Sequence, residues 1–372
     1  MVPSLKMSPV RSFTEDDIPQ VADLHRSVFK LADRLSPEML DSYRAYFDDV
    51  FFSNPWRDPA VAPLVYEDTS GKITGFMGVM PRRLSFNGKS VQMAVMSQFV
   101  VDPGSRGLPG LKLLSALFAG PQDLTVSDEA SEVARGLWEG LGASTSLPHS
   151  MRWFYAVRPF QFATLVLKKL AGLPSFFVRA AAPAARAADA LSARALKFPY
   201  HPVVPKLSGE EMSNELLLTC LSEMGGRKVL RPDYDEVSLA WTLRRATQLS
   251  RNGKFQKIVV KTADRKIAGW YLYYLNPGGV SQVLQLHART HLESEVLDHL
   301  FYNAWSQGAT VLSGRMELSR HFTQKFSDKH FLFHCGPEWM LFHARRPELI
   351  SAFQRGDVCL SRLEGEWCTH FR

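Results

Sequence analysis

Cysteine is scarce in this chain: Cys220, Cys335, Cys359 and Cys368 are the four present, and no two form a CxxC pair. At 372 residues the chain can bury a core without covalent staples, so a reducing, cytoplasmic compartment is expected. Long apolar runs are missing as well. No stretch of eighteen uncharged apolar residues occurs, which excludes a spanning helix. The first residues carry Lys6, Arg11, Glu15, Asp16 and Asp17 with no apolar run between them, unlike a secretory signal. The stretch Gly104–Lys112 lacks the Gly-Lys-Ser/Thr ending of a nucleotide-binding P-loop. With 45% apolar and 22% charged residues, the composition excludes disordered, collagenous and long coiled-coil classes.

The length points to two domains, residues 1–155 and 207–372, with a connector at 156–206. The formal charge of +7 is concentrated between them. Arg158, Lys168, Lys169, Arg179, Arg186, Arg194, Lys197 and Lys206 face a single acid, Asp189, while the rest of the chain balances. A binder of DNA would spread its charge over a face, so DNA is not expected as a partner. The connector pattern predicts two short helices, the second broken at Pro183, followed by extended chain through the prolines at 199–205. Two readings of it stay open. It is a helical linker packing against both domains with a solvated basic face, or it sets Phe176, Phe177, Leu191 and Leu196 into a membrane interface with arginines on anionic headgroups, a reading beside which contact with an acidic polymer or RNA also stands. The second would place the protein at the inner face of the membrane.

An internal repeat is the most informative pattern. Leu64–Phe76 (LVYEDTSGKITGF) aligns with Ile258–Trp270 (IVVKTADRKIAGW) at an offset of 194 residues. Each reads as a strand, a polar turn and a second strand, then a further turn, Phe86–Lys89 or Asn276–Gly279, and a third strand, Val91–Met96 or Ser281–Leu286. A helix and a short strand follow in both: Leu108–Ala119 with Asp123–Ser127, and Leu292–Ser306 with Ala309–Ser313. The first copy continues into a helix over Glu129–Leu141, capped by Gly142, and a final strand, Met151–Ala156. An amphipathic helix, Asp16–Phe29, precedes it. The order describes an α+β domain with helices on both faces of a mixed, mostly antiparallel sheet.

Two segments give this order a family likeness. Phe99–Leu114 (FVVDPGSRGLPGLKLL) and Leu124–Asp128 with Ala134–Gly142 (LTVSD, ARGLWEGLG) are similar to the loop-helix and strand-helix motifs of the GNAT superfamily of acyl-CoA-dependent N-acyltransferases. The chain as a whole resembles a tandem of two GNAT-like domains joined by a helical connector, the second copy degenerate. The resemblance implies that an acyl-CoA such as acetyl-CoA is the donor. Its pyrophosphate would meet backbone N–H groups at a helix start, where the dipole favours anions. Val100 and Val101 would hold the pantetheine arm, and Arg106, Gly107, Leu108, Gly110 and Leu111 the phosphates. Two positions depart from the pattern. Pro109 stands at the central glycine and has no N–H, so either the loop is shifted by one residue onto Gly107 and Gly110, or coenzyme A binding is weakened or lost. Trp138 stands where many relatives have the tyrosine that protonates the leaving thiolate.

The implied mechanism is direct attack of an amine on the thioester, with a backbone N–H stabilising the oxyanion. Glu67, Asp68 and Asp128, at strand ends, are the candidate bases, and Gln98 or Ser97 the candidate orienting groups; each also fits a solvated carboxylate or a helix cap. His287 with His291 and His330 with His334 have i,i+4 spacing, yet alternation around the second pair suggests a strand, and no metal is expected. The second copy lacks a glycine-rich loop and is expected to bind no coenzyme A; it either completes the acceptor pocket, with Trp270, Tyr271, Tyr273 and Tyr274 at its cleft or in its core, or buries the edge of the first domain. The functional expectation is an N-acyltransferase acting on an amine acceptor, with an amino sugar or a lipid- or polysaccharide-linked precursor as candidates. A Fem-like transferase using aminoacyl-tRNA and a scaffold that has lost catalysis are the alternatives.

Overall fold

The structure, a computed structural model, describes residues 8–105, 108–170, 175–195, 200–224, 229–316, 331–336 and 338–371. In chain order these hold β1 (Val10–Ser12), α1 (Ile18–Phe29), α2 (Pro37–Phe47), β2 (Leu64–Glu67), β3 (Ile73–Phe86), β4 (Lys89–Val101), α3 (Leu108–Phe118), β5 (Leu124–Ala130), α4 (Glu132–Gly140), β6 (Ser144–Thr145), α5 (Leu147–Ser150) and β7 (Met151–Ala156). They continue with α6 (Pro159–Leu170), α7 (Ser175–Ser192), β8 (Ser208–Glu211), α8 (Asn214–Met224), β9 (Leu230–Pro232), α9 (Glu236–Gln248), β10 (Lys254–Lys261), β11 (Ile267–Leu275), β12 (Val280–Ala288), α10 (Glu293–Ser306), β13 (Val311–Arg315), β14 (Leu332–Cys335), β15 (Trp339–Ala344) and α11 (Pro347–Arg355).

Two mixed sheets with helices against them result. The first has the order β1-β2-β3-β4-β5-β15-β6, with β9 also on β3; the second reads β8-β10-β11-β12-β13-β7-β14. Within each, one pairing is parallel, β4 with β5 and β12 with β13, and the others are antiparallel. The long β3–β4 hairpin turns at Asn87-Gly88, both at positive φ (50° and 79°), as a two-residue turn matched to strand twist requires.

The sheets exchange strands. Met151–Ala156, expected to close the first sheet, pairs in the second with β13 and β14, and Trp153 and Tyr155 fill that core. In return β15 lies between β5 and β6 of the first sheet and buries Met340, Leu341 and Phe342. Alternation of large residues says that such a strand is covered on its faces, not which sheet receives it.

Two expected helix limits shift. The helix expected from Glu129 starts at Glu132, because β5 extends to Ala130 and Ser131 is the N-cap, accepting from the Ala134 N–H at 3.3 Å. Pro183 does not break α7, which runs through it from Ser175 to Ser192. Asp189 of α7 caps α6 by accepting from the N–H groups of Phe160 and Gln161 at 3.0 and 3.1 Å, which ties the two helices into a hairpin. Trp270, Tyr271, Tyr273 and Tyr274 are all core, and His287 stacks on Trp270 at 4.3 Å.

Candidate active site

The site begins where β4 and β5 part. Their pairing covers Met93–Val95 against Leu124–Val126 and then ends, so the β4 edge from Met96 to Val101 and the β5 edge from Ser127 to Ala130 no longer pair with each other. At the parting point β4 bulges. Gln98 has φ 48°, and the register with β3 jumps from Gly78↔Ser97 to Phe76↔Val100. Gly78 is required opposite the bulge, since a Cβ there would stand 2.8 Å from the Ser97 carbonyl oxygen and 2.6 Å from Phe51. A non-glycine residue held in this conformation costs about 1–3 kcal/mol. The bulge presents Gln98 to α1 and α2.

Gln98 Oε1 meets His25 Nε2 at 2.8 Å, and His25 Nδ1 meets the Tyr43 hydroxyl at 2.8 Å. With the carboxamide oxygen as acceptor, the imidazole proton lies on Nε2 and Nδ1 accepts from Tyr43. Burial lowers the His25 pKa against the opposing bond to Gln98, keeping the ring neutral. The chain of bonds fixes the carboxamide. Its Nε2 faces the Tyr46 hydroxyl, whose pKa it lowers, but outside the geometry of a regular hydrogen bond, and the Ser97 hydroxyl has no hydrogen-bond partner among the described residues.

Residues 361–371 run along the other side of the opening. Asp128 accepts from the Glu366 N–H at 2.7 Å and from Arg315 Nη1 at 3.1 Å, while Arg315 Nη2 donates to the Asp128 carbonyl. Gly365 packs so closely on the Asp128 carboxylate that a Cβ would collide with it. Asp128 therefore anchors this segment and Arg315. Its neighbour Glu129 is differently placed: Oε1 is buried with no hydrogen bond among the described residues, 3.7 Å from Arg362, and Oε2 lies 3.4 Å from His370 Nε2. Burial, only partly opposed by Arg362 and reinforced by the charge of Asp128, pushes the Glu129 carboxyl up to about 7. Burial and the charges of Asp128 and Glu129 also raise Glu366 well above the carboxylate range. Phe371 closes the cluster against Tyr43 and Tyr46, ring centroids 4.2 and 4.8 Å away.

The start of α3 forms the outer end. Pro109 is the second helical residue, where the missing N–H is one the helix would leave free anyway, so it does not obstruct the helix start. It packs on Gly75 of β3, while Gly110 sits on Phe99 and Val101, where an added Cβ would be 3.2 and 3.3 Å away. Two glycines thus bring the helix start close to the strands. Leu108 and Leu111 are exposed, Val100 is buried and Val101 half-buried. Arg106 and Gly107 lie outside the described residues. Leu108 and Gly110 leave first-turn amides free for an anion, Leu111 following as the first residue of the helix's own hydrogen-bond ladder, and the β4 edge beyond the parting is unpaired with β5, an arrangement that fits an acyl-CoA.

The structure does not bring Glu67 and Asp68 to this cluster. They sit on β2 and its turn, separated from β4 by β3. Glu67 pairs with Arg11 at 2.7 Å, and Asp68 accepts from Ser70 and Lys72 within the turn, bonds that lower its pKa. Trp138 is fully buried against Phe118 in the core under α3 and α4. Sequence reasoning missed Glu129, His25, Tyr43 and His370; the only local signal was the acidic pair Asp128-Glu129 at a strand end. Among the described residues no group of acids, histidines and cysteines could hold a metal, and His330 lies outside them.

A central sheet parting beside a bulge and a helix start defines a GNAT-type fold. Residues 9–120 match the family model of the acetyltransferase (GNAT) domain. Solved structures agree on the fold. A GCN5-related N-acetyltransferase from Anabaena variabilis has a TM-score of 0.58 at 11% identity, covering 89% of this chain and 71% of that one. One from Kribbella flavida scores 0.50 at 14%, covering 89% and 70%. Saccharomyces cerevisiae N-myristoyltransferase with bound myristoyl-CoA scores 0.50 at 12%, covering 92% and 78%. No curated protein matches the chain.

Proposed function

We propose that the protein is an N-acyltransferase that takes the acyl group from acyl-CoA and passes it to an amine, with Glu129 as the base. The observation that carries this reading is a set of buried polar atoms beside the parting of β4 and β5 with no regular hydrogen bond among the described residues: Gln98 Nε2, Ser97 Oγ and Glu129 Oε1, the last in an ion pair with Arg362. Buried polar atoms are rarely left without hydrogen bonds, and Ser97 and Gln98 lie on the β4 side of the parting while Glu129 lies on the β5 side. Glu129, half ionised near pH 7, accepts the amine proton; the C–N bond forms as the C–S bond breaks, and the thiolate takes its proton back from Glu129 through water. Gln98 Nε2, held by His25, donates to the thioester oxygen as charge builds on it. The amides of Leu108 and Gly110, with Arg106, Gly107 and Leu111, take the phosphates, and Val100 and Val101 take the pantetheine.

The test is thermal stabilisation by acetyl-, octanoyl- and myristoyl-CoA, followed by turnover of the stabilising thioester with an amine. No stabilisation by any of them argues for the tRNA-dependent or scaffold alternative.

The connector supports a finer reading of location, contact with an anionic lipid surface. Phe160, Leu167, Phe176 and Leu191 are exposed, Leu191 to 66%, beside exposed Lys168, Arg186 and Arg194. The one acid of the segment, Asp189, is spent inside the hairpin as a cap, so the outer surface is cationic. The side chains of Phe177, Arg179 and Lys169, and residue Leu196, lie outside the described set. No described helix is long and apolar enough to cross a membrane.

A further inference from the structure

A second cavity adjoins the base. It occupies about 620 Å³ between α2, α9 and residues 370–371, with Tyr46, His370 and Phe371 forming its inner wall. Because His370 Nε2 is 3.4 Å from Glu129 Oε2, the cavity ends one side chain away from the carboxylate. Arg244, Arg245 and Arg251 line it, and among its described lining residues Asp49 is the one acidic side chain.

Asp49 is itself shared. It accepts from Arg244 Nη2 at 2.6 Å, from Arg245 Nη1 at 3.1 Å and from the Trp241 indole N–H at 3.1 Å. One carboxylate thus faces two guanidiniums, and Arg251 adds a third positive charge to the wall. Arg245 stacks on Tyr46 at 5.5 Å, and its buried Nε has no hydrogen-bond partner among the described residues. A wall in which Arg244 and Arg245 share the single carboxylate of Asp49 is suited to a further anion, since a fixed guanidinium fork holds carboxylate or phosphate.

Resting on the acyltransfer reading, we propose that this cavity is the acceptor site and that its substrate is an amine that also carries a carboxylate or phosphate group. The anionic group is held by Arg244, Arg245 and Arg251 at the outer end, so that the amine points inward past Tyr46 and His370 to Glu129. Both halves of the chain build the site: α2 belongs to the first half and α9 to the second.

Calorimetric titration of the full chain tests this with matched probes: glucosamine 6-phosphate against glucosamine, and glycine against glycinamide. The anionic member of at least one pair is expected to bind at least about tenfold more tightly, and which pair responds distinguishes phosphate from carboxylate. The Arg244→Gln/Arg251→Gln double variant should lose that preference, and Ala45→Trp, which fills the cavity, should lose binding altogether. Stabilisation by acyl-CoA in both variants shows that they fold. Equal binding within both pairs, a preference that survives the double variant, or no binding of any probe overturns the proposal. Arginine-dependent binding without acyl transfer would leave the site standing and sink the acyltransfer reading; transfer to neutral amines regardless of the arginines would do the reverse.

Discussion

Nε2 of His370 lies 3.4 Å from Oε2 of Glu129, across 241 residues of chain. This contact puts a residue from the last turn of the described chain against a carboxylate of the first sheet, and removes that carboxylate from bulk water. A carboxyl that titrates near neutrality is suited to take a proton from an amine and return it.

Replacing Glu129 by Gln should lower kcat/KM by about 10²–10⁴, with little change in acyl-CoA binding. The activity of the unaltered protein should rise with pH through about 7, and the variant should lose that limb. Stability moves the other way. Because the folded pKa of Glu129 is raised from 4.5, its neutral form favours folding, a contribution present below pH 4.5 and lost as pH rises through about 7. Glu129→Gln should therefore be more stable than the unaltered protein at pH 8, by up to about 3 kcal/mol, and equal to it at pH 4. Thermal denaturation at the two pH values reads this directly; a variant less stable at pH 8 would contradict it.

Asp128 should behave in the opposite way although it is the adjacent residue. Asp128→Asn strips Arg315, only a tenth exposed, of its carboxylate and weakens the anchor of residues 361–371. Breaking a buried pair on one side costs about 3–5 kcal/mol. Gly365→Ala should lower stability too, because its methyl displaces the Asp128 carboxylate. Urea unfolding of Asp128→Asn with an unchanged midpoint would remove the anchoring role.

Gly110→Val probes the donor site. Side-chain atoms added at Gly110 meet Phe99 and Val101 and push the start of α3 off β4. Stabilisation by the best acyl-CoA should fall at least about tenfold in apparent affinity while the fold is retained. Retained affinity would place the phosphates elsewhere.

The parts of this site legible in the sequence are those made by neighbours along the chain. The β3–β4 hairpin, the helix entered after Val101 and the alternation of β5 follow from local turns and periodicity, and the motif at Phe99–Leu114 drew attention to the end of β4 that lies beside the parting. Glu129 was hidden for two reasons. Local pattern assigned it to a helix that starts three residues later, and the burial that alters its carboxyl comes from Arg362, Glu366 and His370, more than 230 residues away. Pro109 carried the reverse error: it counted as a lost glycine in a motif, whereas in the folded chain it is an ordinary first-turn proline on Gly75. The exchange of β7 and β15 lay beyond local reasoning for the same cause, since a buried strand does not encode its partner.

The connector supplies a prediction independent of catalysis. Leu167 and Phe176 are 53% and 62% exposed on a hairpin whose single acid is buried. If the hairpin rests on lipid, the protein should sediment with vesicles containing phosphatidylglycerol and not with phosphatidylcholine alone, and the attraction should weaken as salt is raised. Leu167→Glu with Leu191→Glu should release it without lowering the thermal midpoint, because both side chains are more than half exposed. Apolar insertion and charge act together here, so neutralising Lys168, Arg186 and Arg194 should also reduce binding, by about 1 kcal/mol per charge. Sedimentation with neither kind of vesicle would leave the hairpin a linker with a solvated basic face, and equal sedimentation with both would remove the role of its charge.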